Sequence, residues 1–292
     1  MFRWNRNRGL DPETDYVEIY RNVAQYDFPW DFTQSLSFAL FRTYAVPSIG
    51  RLLSDSGGFD DTQKRYDDTA LLLERPVTCG FASAESKSAI RRINQMHRAY
   101  DISNDDMRYV LATFVVVPKR WIDDYGWRPL TYDEVAASVN YYRELGRHMN
   151  IKDVPTTYQG FAELMDDYEA QHFAYDEGGR RVADMTLHLL TTFYPRPLRP
   201  AMKVFSRALM DAPLIEAFHF SEPPKLIRAA ALAAMRARAA FVRLLPPRVR
   251  PKYIEGSRRI KTYGPDEVVT ERLGTFPSGC PVDHSARERA LA

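Results

Sequence analysis

Three side chains have types and spacings suited to chemistry: His97, Arg65 and Thr69. On an ideal helix His97 shares one stripe with Ile90, Ile93 and Tyr100, while Arg91, Gln95 and Arg98 point elsewhere. An imidazole on a face meant for burial needs a partner for each ring nitrogen, because a buried unsatisfied polar group costs about 1–3 kcal/mol. Hydrogen bonds alone meet that need in an ordinary core histidine, the commoner case for a lone His on an apolar face. The alternative is a metal on one nitrogen, with a carbonyl or water on the other. Arg65 and Thr69 stand one helical turn apart, with Asp68 beside them and Leu72 a turn further on. That stripe can set a guanidinium and a hydroxyl at the edge of a pocket. By spacing alone, a surface Arg65–Asp68 pair worth under ~1 kcal/mol is the simpler reading.

Other constellations are weaker. Asp67-Asp68, Asp105-Asp106, Asp123-Asp124 and Asp166-Asp167 lack the further acid of the DDxxD magnesium arrangement, and acids at helix starts suit the helix dipole. There is no GxGxxG, P-loop or HExxH. His148, His172, His188, His219 and His284 show no close metal-ligand spacing, and the Cys280-Pro281 pair before His284 is too common a combination to mark a haem site. Two cysteines, Cys79 and Cys280, cannot build a disulfide framework or a four-thiolate zinc site.

The elements that must position these residues read as helix after helix. Asp31 is expected to cap a helix through Leu36 and Thr43 that Pro47 interrupts. Helices are expected over residues 62–73 and from Ser83 to Tyr100. The next runs from the Ser103/Asp106 capping pair to a stop at Pro118, and another opens at the Thr131–Glu134 capping box and closes near Gly146. Thr156 or Thr157 opens a helix through Tyr168, and Gly178-Gly179 reads as a turn. Further helices are expected over residues 181–193, 201–210 and 225–245. The outline is all-α: a single-domain multi-helix bundle over residues 25–253, an N-terminal arm over 1–24 and an irregular tail over 254–292.

The chain has 292 residues, 45% of them hydrophobic, enough for a sizeable core. Its 40 basic and 38 acidic side chains nearly cancel, which argues against nucleic acid as a partner. No signal-peptide pattern and no 18-residue apolar run occur, so a cytoplasmic protein is expected. Residues 225–245 interleave Ala, Leu, Met and Phe with Arg228, Arg236, Arg238 and Arg243. Such a helix can lie on an anionic membrane as a peripheral contact, or pack one side on the core with its arginines facing water, the ordinary arrangement.

Several stretches in order resemble one family. They are Phe41-Arg42-Thr43-Tyr44-Ala45-Val46-Pro47, Lys64-Arg65-Tyr66-Asp67-Asp68-Thr69, Ile93-Asn94-Gln95-Met96-His97-Arg98, Val110-Leu111-Ala112-Thr113-Phe114, and Leu244 through Pro246-Pro247-Arg248 to Pro251. Together they are similar to the MpaB-type oxygenases, which share a catalytic domain with bacterial rubber oxygenase. The resemblance spans residues 25–253. It implies a globin-like helical core holding haem b, with His97 as proximal iron ligand, Arg65 and Thr69 beside the haem, and O₂ and a hydrophobic, isoprenoid-like small molecule as co-reactants. The resemblance also has departures. Asp68 stands where rubber oxygenase has a lysine that caps the distal iron position. The stretch Pro47 to Leu53 lacks that enzyme's upstream glutamate, and Leu111 stands where many members have histidine. A haem-binding peroxidase-like or gas-binding protein, and a haem-free helical lipid-binding scaffold, are the alternatives left open.

Overall fold

The computed structural model describes residues 6–264 and 267–275, and every regular element among them is helical. In chain order these are α1 (Tyr16–Arg21), continuing into a π-helical turn over Asn22–Asp27, then α2 (Pro29–Thr43), α3 (Pro47–Asp55), α4 (Thr62–Cys79), α5 (Ala84–His97) and α6 (Asn104–Tyr125). There follow α7 (Tyr132–His148), α8 (Tyr158–His172), α9 (Glu177–Thr192), α10 (Arg199–Ala208), α11 (Ala212–Ala217) and α12 (Lys225–Leu244). Cys280 and His284 lie outside the described residues.

Short polar side chains open most of the long helices. Ser83, Ser103, Thr131 and Thr157 sit in extended backbone and accept the amide N–H three residues on, and Thr131 with Glu134 completes a capping box. Each such cap contributes about 1 kcal/mol by satisfying an orphan donor. Elsewhere tertiary packing overrides the local signal. α6 runs straight through Pro118 and α4 through Pro76, both prolines buried. Pro47 begins α3 instead of merely ending α2. Asp31 caps nothing, because α2 starts two residues earlier. Its buried carboxylate instead accepts from Arg238 at 2.9 and 3.2 Å and from Trp121 Nε1 at 3.3 Å.

α6 is buried nearly all round, through Tyr109, Leu111, Phe114, Val116, Trp121 and Ile122, as expected of a helix wrapped by others. Helices α2, α7, α8 and α12 pack on it. Residues 16–24, expected within an arm, belong to the core: α1 packs on α7, and Ile19, Tyr20 and Val23 are buried.

Gly178-Gly179 is the first turn of α9, where α3 crosses it at backbone contact. A Cβ on Gly50 would come within 2.5 Å of the Tyr44 carbonyl and 2.6 Å of Gly179 Cα, so only glycines permit this approach.

The chain after α12 is irregular apart from a 3₁₀ turn over Thr270–Arg272, and it is docked. Glu74 accepts the amide N–H groups of Ile254 and of Glu255 (2.8 Å). Asp67 accepts those of Lys261 (2.9 Å) and Thr262 (2.8 Å). Arg92 donates to the carbonyls of Leu273 (2.7 Å) and Thr275 (2.5 Å). Leu273 is fully buried among Leu71, Leu72, Ile93 and Met96. The segment is thus a strap across α4 and α5.

Candidate functional site

α1 to α7 with the π-helical turn, α9 and the strap enclose a cavity in which the centre of a water molecule can roam over about 380 Å³. That is within the size range of small-molecule and cofactor sites, and the lining is predominantly apolar. Ile49 and Leu52 come from α3, Leu72 from α4, Ile93 from α5, and Leu111 and Phe114 from α6. His97, Arg65 and Thr69 all lie on its wall, so the fold brings the three sequence candidates to one site.

His97 is the last residue of α5. Part of the residue is accessible, but its Nδ1 is closed off and has no hydrogen-bond partner among the described residues. It is therefore not the satisfied core histidine that pattern alone would favour. Burial, reinforced by the positive charge of Arg65, holds its pKa down to about 4, so the ring is neutral at physiological pH.

The expected Arg65–Asp68 pair does not form. Asp68 is buried away from the cavity, held by Lys64 and the Tyr263 hydroxyl. Arg65 is left without a carboxylate partner among the described residues, its Cζ 5.9 Å from the Phe59 ring centroid. Thr69 donates its hydroxyl to the Arg65 carbonyl at 2.8 Å, which leaves its oxygen as an acceptor toward the cavity.

Two features escaped the sequence reading. Asp106, read there only as a capping partner, also lines the cavity. Its Oδ1 accepts from Ser48 (3.0 Å) and from Tyr168 (2.9 Å). Ser48 belongs to the acid-free stretch on α3, so a carboxylate reaches that neighbourhood from another helix. Glu74 also lines the cavity, but its oxygens are taken by the strap amides. The second feature is Arg42, which lies within a recognised motif yet was given no role. It binds Glu169 and Asp211 (2.7 Å), while Tyr109 donates to Glu169 at 3.0 Å. Those carboxylates raise the Arg42 pKa against the opposing effect of burial, and the network ties α2 to α6, α8 and α11 behind the cavity wall.

Among the described residues no three His, Cys, Asp or Glu side chains gather as a metal cage. One imidazole cannot retain iron alone. A neutral histidine on an apolar cavity, with a guanidinium nearby that has no carboxylate partner among the described residues, does fit a tetrapyrrole, which brings four nitrogen ligands and anionic propionates of its own. No described helix is long and apolar enough to cross a membrane.

A family model described as "ER-bound oxygenase mpaB/B'/Rubber oxygenase, catalytic domain" matches residues 27–259. The ER-bound oxygenase mpaB' of Penicillium brevicompactum is 31% identical over 248 residues, covering 78% of this chain and 59% of that protein. The ER-bound oxygenase mpaB of the same organism is 33% identical over 235 residues, 74% of this chain and 59% of the relative. The mpaB of Penicillium roqueforti (strain FM164) is 30% identical over 229 residues, 72% and 77% of the two chains. The chain thus spans 59% of the length of the first two relatives. Among solved structures, latex clearing protein LCP in the closed state shares the fold. It aligns at a TM-score of 0.58 and 16% identity, over 84% of this chain and 70% of that one.

Proposed function

The chain belongs to the mpaB/rubber oxygenase catalytic-domain family, and on that premise we propose that it is a haem b-dependent oxygenase acting with O₂ on a hydrophobic, isoprenoid-like small molecule. The observation that carries this reading is His97: a neutral imidazole with an unpartnered, enclosed nitrogen on the wall of a large apolar cavity. The helices around the cavity would then serve as a globin-like haem-binding core.

His97 would hold the iron, and its depressed pKa keeps the ring able to donate a lone pair well below neutral pH. Arg65, lacking a carboxylate partner among the described residues, would bind a haem propionate. Bound there, the haem would supply a redox-active iron able to activate dioxygen. Thr69 offers an acceptor oxygen to a ligand hydroxyl or water. Ile49, Leu52, Ile93, Leu111 and Phe114 exclude water and favour an apolar substrate. Asp106 is a wall carboxylate not committed to the backbone of the strap, and Ser48 and Tyr168 orient it by donating to its Oδ1.

Absorption spectra of protein expressed with haem supplementation test the cofactor. Wild type should show a Soret band, His97→Ala should lose it, and Arg65→Ala should bind haem more weakly. A colourless wild type, or full haem retention in His97→Ala, overturns the reading. Oxygen uptake with isoprenoid substrates tests the reaction. A haem-replete protein that consumes no oxygen with any of them points to the haem-binding alternative.

A further inference from the structure

α12 carries its polarity the wrong way round for a helix bathed only in water. Its inner face, which meets α6 and α10, holds Ala231 and Met235 together with two arginines. Arg228 donates to the Met210 carbonyl at 3.2 Å, and Arg238 binds Asp31 while stacking 3.7 Å over the Trp30 ring. The arrangement with these arginines facing water is therefore not the one adopted. At 100° per residue, the opposite side presents Leu226, Ala233, Ala237, Ala240, Phe241 and Leu244 as one uncharged stripe. Leu226, Phe241 and Leu244 are 82%, 63% and 74% exposed. Seven of the eleven large apolar side chains exposed among the described residues fall between positions 226 and 253.

The charge along this stretch of chain is of one sign. Residues 225–254 contain eight Lys and Arg and no Asp or Glu. With Arg228 and Arg238 turned inward, Lys225, Arg236 and Arg243 flank the stripe, and Arg248 and Arg250 extend it, all exposed. The same run of chain then reaches the cavity, whose lining includes Lys252 and Ile254.

We propose that the outer face of α12, continued through Val249, docks on an anionic lipid bilayer, with the apolar stripe among the acyl chains and the flanking cations at the phosphates. Apolar exposure flanked by cations is the signature of a helix lying in the membrane interface. A second copy of this chain fits less well, because two-fold pairing would set the like charges of this stretch against each other with no acid of the same stretch to offset them. The proposal is independent of the cofactor, and it sets the rim of the cavity beside the bilayer.

Sedimentation with vesicles of phosphatidylcholine alone, and of phosphatidylcholine mixed with phosphatidylserine, tests it on the whole 292-residue chain. Wild type should partition onto the mixed vesicles far better than onto phosphatidylcholine, and salt should weaken the binding. Phe241→Glu/Leu244→Glu should release it by roughly tenfold or more. Arg236→Ala and Arg243→Ala should each weaken it roughly fivefold. Both positions are exposed, so circular dichroism and melting temperature should be unchanged in all variants. The proposal is overturned if the mixed vesicles bind no better than phosphatidylcholine, or if the Glu variants sediment like wild type. It is equally overturned if wild type ignores vesicles and light scattering shows a dimer that the Glu variants dissociate.

Discussion

If His97 is held neutral by its surroundings, acid should destabilise the haem-free protein through this one ring. Its pKa falls from 6.5 in the unfolded chain to about 4 in the fold. The unfolded state therefore binds a proton between those values that the folded state refuses, so stability is fully present above pH 6.5 and is lost as pH drops toward 4. At 1.36 kcal/mol per unit, the shift amounts to about 3 kcal/mol, with a maximal slope of about 1.4 kcal/mol per pH unit. Other groups add a pH dependence of their own, among them Asp27, Asp31 and Glu74, whose pKa values burial raises. A difference measurement removes them. Urea unfolding of wild type and His97→Gln at pH 7, 6, 5 and 4 should show the stability of wild type relative to the variant falling by about 3 kcal/mol across the series. Parallel curves, with a constant gap from pH 7 to 4, would refute the claim that the ring sits enclosed beside Arg65.

Three further outcomes follow from the packing. Glu169→Ala leaves Arg42 without its main partner in a site where the two side chains are 13% and 8% exposed, and should cost about 3–5 kcal/mol in chemical denaturation; a loss below 1 kcal/mol contradicts the network. Gly179→Ala puts a methyl group against the Tyr44 carbonyl and should cost about 1–3 kcal/mol, read as a lowered melting temperature. Because α3 also walls the cavity, the same variant should bind haem or an apolar dye less tightly, and unchanged values on both counts would mean that α3 and α9 do not meet there. Glu74→Gln weakens the grip on Ile254 and Glu255, so hydrogen exchange at those two amides should quicken by about tenfold or more while α6 stays protected.

Much of the fold was legible because helix starts are local chemistry. Ser83, Ser103, Thr131 and Thr157 announce their helices through a side chain and an amide three residues on, with no help from distant parts of the chain. What was misread depends on partners far away in sequence. Pro118 stays within a helix because its surroundings pack tightly enough to offset one missing hydrogen bond. Gly178-Gly179 looks like a turn until α3 is laid across it. Asp31 looks like a cap until Arg238, 207 residues later, arrives to claim it. α1 and α11 are six residues each, too short to establish a period. The cavity itself could not be read from spacing, since its wall is assembled from eight helices, the π-helical turn and the strap. Yet the inward stripe of His97 pointed toward it, and the acid brought by Asp106 was hidden only because a capping role already accounted for that residue.

The strap is fastened chiefly by its own main chain. Glu74, Asp67 and Arg92 grip peptide N–H and C=O groups, which every residue type except proline offers alike. The fastening is thus largely indifferent to what the strap carries, while Lys252, Ile254 and Thr275 project into the binding space. This divides labour within one stretch of chain: attachment is delegated to the backbone and selectivity to the side chains. Substitutions at those three positions can reshape one wall of the chamber without loosening the panel on which they are mounted, which makes it the natural place for this architecture to acquire a different guest.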